Sequence, residues 1–239
     1  MIEIRCTKNN FLQYKKYKAD FLFTGTEMMD DNSVLITDEN GIVQDVINAK
    51  DAGDDVEFFK GILSPGFINC HCHLELSHMQ NLIPEKTGLV DFVFKVVTQR
   101  NFAEDEILNA IAKKEDEMMA NGIVAVGDIC NNTLTLTQKS KQRLAYYNFI
   151  EVSGWLPQVA HQRFEKSKEY YDAFNQLSTV NSQSSISPHA PYSVSDELWD
   201  LISTFFQNKT ITIHNQETAF EDELFLKGEG DFIRMYEMM

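Results

Sequence analysis

The chain has 239 residues, 43% of them hydrophobic and 11% aromatic, enough for one large domain or two small ones around a real core. Its formal net charge is −15, with the acidic residues spread along the chain, so its surface repels phosphate backbones and anionic lipid headgroups, and neither nucleic acid nor membrane is an expected partner. No apolar run reaches the length of a membrane span and MIEIRCTKNN lacks the features of a signal peptide, so a cytoplasmic protein is expected, with Cys6, Cys70, Cys72 and Cys130 as reduced thiols.

Residues 1–61 read as short strands broken by turns. DFLFTGTE, SVLITD and IVQDVI are rich in β-branched or aromatic residues, and Glu39-Asn40-Gly41 between the last two is a hairpin signal. This segment is expected to form a small β-layer that needs a partner. From residue 62 to 239 the pattern changes to strands alternating with amphipathic helices. ILSPGFINCHCH is the first strand, and a long insertion over 74–103 follows it. The helix EDEILNAIAKKEDEMMANG comes next, with Ile107, Ile111 and Met118 on one face and an end at Gly122. GIVAVGDIC, LAYYNFIEVSG, SSISPHA and TITIHNQ are strands two to five. Helical stretches near 161–178 and 195–207 lie between the later ones, the second opened by Ser195. Repeated βα units imply a parallel sheet with right-handed crossovers. About five such units fall short of the eight that close a (β/α)8 barrel.

Three strand ends carry chemistry. In Pro65-Gly66-Phe67-Ile68-Asn69-Cys70-His71-Cys72-His73, alternation along a strand sends His71 and His73 to one face and the two cysteines to the other. Two converging imidazoles suit Zn²⁺ or Fe²⁺. Ile211-Thr212-Ile213-His214 ends a second apolar strand with a histidine able to act as third ligand. Glu217, three residues on, is placed to move the proton of a metal-activated water; taken alone, it would cap the next helix. Ser187-Pro188-His189-Ala190-Pro191 holds a histidine between two prolines, where it either meets a substrate or satisfies a buried carbonyl.

PGFIN-x-H-x-H-L-E, then PHAPYS, then IH-x-x-E, in this order, resemble the cytosine-deaminase-like and chlorohydrolase-like branch of the amidohydrolase superfamily. The resemblance runs from about residue 20 to the end. It implies an α/β fold, a partial (β/α)8 TIM barrel over 62–239 with residues 1–61 as an N-terminal part of a composite β-sandwich. It implies His71, His73 and His214 as metal ligands, Glu217 as the acid/base and His189 as a substrate contact. HLELS, DFVFKVVTQR and FIEV are similar to aminodeoxyfutalosine deaminases, which makes Glu75 and Arg100 further substrate-contact candidates. The branch also has a sixth-strand histidine and an eighth-strand aspartate, for which this sequence offers no match.

The expectation is a metal-dependent hydrolase that deaminates an aminated heterocycle or nucleoside-like small molecule. Its cofactor is one divalent ion, Zn²⁺ first and Fe²⁺ as the alternative, and a homo-oligomer is compatible with it. The competing readings are other amidohydrolase chemistry, such as cyclic amide hydrolysis or hydrolytic displacement, and a non-catalytic truncated remnant.

Overall fold

The computed structural model describes residues 14–177 and 181–238, so Cys6 lies outside the described residues. The chain divides after Gly66 into two compact units.

The first unit contains strands β1 (Lys15–Phe23), β2 (Met28–Met29), β3 (Ser33–Thr37), β4 (Val43–Asn48) and β5 (Val56–Leu63). They form one sheet in the order β2-β1-β3-β4, all antiparallel, with β5 parallel to β1 on its other side. The β3–β4 hairpin turns where expected. Asp38 Oδ1 accepts from the backbone N–H of Asn40 and of Ile42, both at 2.9 Å, while Gly41 takes the positive φ of 82° that a side chain resists. One expectation needs correction. β5 continues through residues 62 and 63, so the division falls after Gly66 and not after 61, because the parallel β1–β5 ladder reaches Leu22↔Leu63. The described residues of this unit make a single layer.

The second unit runs β6 (Phe67–Cys72), α1 (Leu89–Gln99), α2 (Glu104–Ala120), β7 (Ile123–Cys130), α3 (Leu136–Lys139), β8 (Ala145–Val152), α4 (Ala160–Gln176), β9 (Ser182–Pro188), α5 (Asp196–Ser203), α6 (Ala219–Lys227) and α7 (Asp231–Met238). Its sheet is all parallel, in the chain order β6-β7-β8-β9. The α2 face carrying Ile107, Ile111 and Met118 is buried with Leu74, Val126, Leu144 and Tyr146. Ile150, Ile186, Phe164, Phe174, Leu198 and Ile202 fill the space between β8, β9, α4 and α5. Full burial of such side chains contributes about 1.5–3 kcal/mol each. Ser195 caps α5 by accepting from Leu198 N–H at 3.2 Å.

The expected fifth strand is absent from the described residues: the segment 210–217 forms no ladder. It is tied by His214 N–H to His189 O at 2.8 Å, by Thr210 N–H to the Tyr147 hydroxyl at 3.0 Å and by Thr212 N–H to Ser187 Oγ at 3.4 Å. One backbone bond to the neighbouring chain does not make a paired strand. Among its described residues the second unit therefore shows four parallel strands, not five.

A polar row crosses this sheet beneath the helices. Asp128, Asn148 and Ser184 stand side by side in register on β7, β8 and β9, each almost fully buried. Lys139 of α3 joins them, 2.5 Å from Asp128 Oδ2 and 2.7 Å from Asn148 Oδ1. Burial pulls the Lys139 ammonium down, but the Asp128 charge, the neighbouring Cys130 and the hydrogen bonds to both together hold it above its usual pKa.

Candidate metal centre

His71 and His73 leave β6 at an irregular point. Asn69 pairs with Val126 and Cys72 with Asp128, so Cys70 and His71 together face the single residue Gly127. This is a β-bulge, and it re-aims the side chains beside it. Gly127 makes it feasible: a Cβ there would sit 2.5 Å from the Cys70 carbonyl oxygen. His73 then lies outside the strand, with φ −110° and ψ 72°, at the start of a short 3-10 helix over Leu74–Met79. The two rings nevertheless meet, Nε2 to Nε2 at 3.2 Å. Their convergence comes from a bulge and a turn as much as from strand alternation. Asp128 Oδ1 accepts from the buried Leu74 N–H at 2.8 Å and fixes the chain just past His73.

His214 completes the cluster. Its ring centroid is 4.8 Å from that of His71 and 5.5 Å from that of His73, and the donor atoms of all three lie within 4.8 Å of one another. Glu217 Oε1 is 2.7 Å from His214 Nδ1. A carboxylate only accepts, so the proton sits on Nδ1 and the Nε2 lone pair is presented to the cluster. Glu217 is itself held by Glu221, buried at the first turn of α6, whose carboxylate accepts from the N–H groups of Gln216 (3.0 Å) and Glu217 (2.6 Å). Gln216 carries the strain of this turn, with φ at +56°.

His189, one residue past the end of β9, has its ring 5.1 Å from that of His214. Its Nδ1 is 2.6 Å from Ser193 Oγ, and that hydroxyl gives its one proton to Ala190 O. Nδ1 must therefore be the donor, which leaves a lone pair on Nε2. Burial lowers the pKa of His71, His73 and His189 from the usual 6.5, keeping all three neutral, as metal or substrate binding through nitrogen requires.

The other two sequence candidates stand differently. Glu75 is 2% exposed and its Oε2 accepts from the N–H groups of Asn131 (3.0 Å) and Asn132 (3.1 Å). Burial and then the Asp128 charge push its carboxyl up to about 8, against those hydrogen bonds. It ties the end of β6 to the loop after β7. Arg100 sits exposed at the C-terminal end of α1, and its carbonyl accepts from His78 Nε2 at 3.0 Å.

Sequence reasoning missed Glu151, near the end of β8. Its side chain is 7% exposed and its Oε1 lies 3.6 Å from His214 Nε2. Glu151, His189 and His214 form a second group of potential ligand atoms within 4.8 Å, sharing His214 with the first. A lone glutamate in FIEV carries no spacing signal; the parallel pairing of β8 with its neighbours brings it to the histidines.

The donor set fits a divalent ion. Three imidazoles from two distant segments face one point, beside carboxylates, and the buried Nδ1 of His73 has no hydrogen-bond partner. Nitrogen donors with nearby carboxylate match zinc or iron preferences.

The second unit is thus an α/β fold, a four-stranded parallel sheet with imidazoles gathered past its strand ends. The chain belongs to the amidohydrolase family, whose model matches residues 62–236. It is 24% identical over 173 residues to the aminodeoxyfutalosine deaminase of Deinococcus radiodurans, covering 71% of this chain and 40% of that one. Its fold is similar to Helicobacter pylori aminofutalosine deaminase solved with methylthio-coformycin, at a TM-score of 0.80 and 19% identity, over 93% of this chain and 56% of that one. It is also similar to a Xanthomonas campestris adenosine deaminase solved with bound zinc, at a TM-score of 0.64 and 14% identity, over 93% of this chain and 54% of that one. The chain thus spans about half the length of the relatives it matches.

Proposed function

We propose that this chain carries the metal-binding and proton-transfer part of a hydrolase that removes ammonia from an aminated heterocycle or nucleoside-like small molecule. The observation that carries the reading is the meeting of His71, His73 and His214 within 4.8 Å, with Glu217 bonded to the third ring. The deaminases among its relatives favour this substrate class, and the zinc of the Xanthomonas enzyme favours Zn²⁺ over Fe²⁺. The four parallel strands are read as the first part of a (β/α)8 barrel, with the residues before them contributing to a composite β-sandwich.

In this reading His71, His73 and His214 hold the ion. When bound, it supplies Lewis acidity that lowers the pKa of a water. Glu217 takes the water's proton and delivers it to the leaving nitrogen, so that C–N breaks as C–O forms and ammonia departs. His189 orients the substrate through Nε2, since its Nδ1 is occupied by Ser193. Arg100 is a further substrate-contact candidate. Glu75 acts through the Asn131–Asn132 loop.

The test is metal content together with ammonia release from 6-aminopurine nucleosides, aminodeoxyfutalosine included. Glu217→Gln is expected to keep its metal and to lose about 10²–10⁴-fold in turnover. His71→Ala is expected to lose metal and activity together. Near-normal ammonia release from metal-loaded Glu217→Gln would remove Glu217 from the proton path.

A further inference from the structure

The carboxylates around the histidine cluster are not equally engaged. Asp128 is divided between Leu74 N–H and Lys139. Glu75 accepts from the Asn131 and Asn132 amides, and Glu217 from His214 Nδ1. Glu151 differs. Its side chain is 7% exposed, and Asn131 Nδ2 donates to its Oε2 at 2.9 Å, which holds the carboxylate in one orientation. Its other oxygen, Oε1, is 3.6 Å from His214 Nε2, beyond hydrogen-bonding distance. Among the described residues no hydrogen bond ends on Oε1. A nearly buried acceptor is thus left facing the site.

His189 offers a second acceptor beside it. Its Nδ1 is given to Ser193, so its free lone pair is on Nε2. Glu151 and His189 group with His214, not with His71 and His73, and one polar atom from each of the three lies within 4.8 Å of the others. Two acceptors at such a spacing can both be met by one nitrogen at hydrogen-bond lengths of about 2.9 Å, and they subtend at most about 110° there. That is close to the angle between the two N–H bonds of an amino group. Charge points the same way. The nitrogen leaving in a deamination becomes more positive as it is protonated, and a fixed carboxylate beside it stabilises that charge. An oxo group in the same place brings its lone pairs against two acceptors and leaves both without a donor.

We propose that Glu151, together with His189, recognises the amino group of the substrate, Oε1 and Nε2 each accepting one of its N–H bonds. This rests on the deaminase reading above and names what the site selects, an exocyclic –NH₂ over the carbonyl oxygen of the product. Glu151 stays off the metal, whose open position is left to the water. Asn131 is the positioning residue: its side chain turns Glu151, and its backbone is anchored by Glu75.

The experiment is equilibrium dialysis of the zinc-loaded chain against adenosine, a 6-amino nucleoside, and inosine, its 6-oxo counterpart, with both quantified by chromatography and bound zinc measured on the same samples. Wild type is expected to prefer adenosine. In Glu151→Gln the amide oxygen keeps the bond from Asn131 and its –NH₂ takes the place of Oε1, a donor where there was an acceptor. The adenosine-to-inosine preference is expected to fall by about 10–100-fold, with zinc retained. His161→Gln, exposed on α4, serves as the unchanged control. Equal weakening of both nucleosides by Glu151→Gln places Glu151 on a feature they share and overturns the proposal. A zinc-loaded wild type that binds both alike, or neither, overturns it too, while the three-histidine reading stands. A wild-type chain that takes up no zinc overturns the metal-centre reading and the proposal with it. Should circular dichroism show Glu151→Gln unfolded, Asn131→Ala, which frees Oε2, is expected to shrink the same preference, and an unchanged preference there overturns the proposal.

Discussion

Glu221 shows how much of the site depends on a residue that touches none of the reacting groups. Its buried carboxylate collects the N–H groups of Gln216 and Glu217 and holds a left-handed turn in place. Glu221→Ala leaves both donors unsatisfied, at about 1–3 kcal/mol. Urea denaturation is expected to show that loss, and metal-loaded protein a lower turnover with its metal retained. The cysteines respond to their surroundings in an equally local way. Burial raises the Cys130 thiol well above its ordinary pKa, whereas Cys70 is exposed. In the native protein iodoacetamide is expected to alkylate Cys70 first and Cys130 only on unfolding, as mass spectrometry of timed digests would read; equal rates would contradict the packing around Cys130.

At the scale of elements, the bulge in β6 and the glycine opposite it act as one device. Gly127→Ala drives a methyl group toward the Cys70 carbonyl, one residue before His71. A destabilisation of about 1–3 kcal/mol is expected, with weaker zinc binding because the ligand arm must shift; thermal melts with and without zinc separate the two effects. The Asp128–Lys139 pair is a second such device. Lys139→Met strands a fully buried carboxylate and is expected to cost about 3–5 kcal/mol, while Asp128→Asn with Lys139→Met costs less than the single change. A double-mutant cycle in urea checks the sign. These features also mark how far the sequence could be read. Period-2 and helical patterns located β6 to β9, α2, α4 and α5, and HxH and IHxxE marked the histidines. The ladder-free course of 210–217 was not legible, because an apolar run states a preference for extension but cannot say whether a neighbour pairs with it. Nor were Asp128, Lys139 and Glu151, whose roles come from register between distant segments.

Across the whole molecule, the strongly negative charge opposes association while one sheet edge invites it. Among the described residues β6 pairs only with β7, and Phe67 and Ile68 at its start are 63% and 65% exposed. Such an apolar edge is a template for further pairing. Sedimentation of the chain is expected to show concentration-dependent association that grows with salt as the charge is screened, and Ile68→Glu is expected to reduce it. A salt-independent monomer would show that the edge is not sticky. No helix among the described residues is long and apolar enough to cross a membrane.

The distance along the chain between the two halves of the histidine cluster has a consequence for how the protein is made. β6 to β9 pair in chain order, so the sheet can grow one strand at a time, yet His71 meets His214 only after nearly all of the second unit has been laid down. A ribosome-bound chain that has emerged no further than β9 holds two of the three imidazoles and has no means of closing the cluster. Non-local closure of this kind belongs late in folding. An ion captured there stabilises the finished state by mass action and is absent from the rate-limiting step. Stopped-flow measurements are therefore expected to show zinc slowing unfolding while refolding proceeds at its metal-free rate, and a refolding rate that climbs with zinc would mean the two ends find each other early.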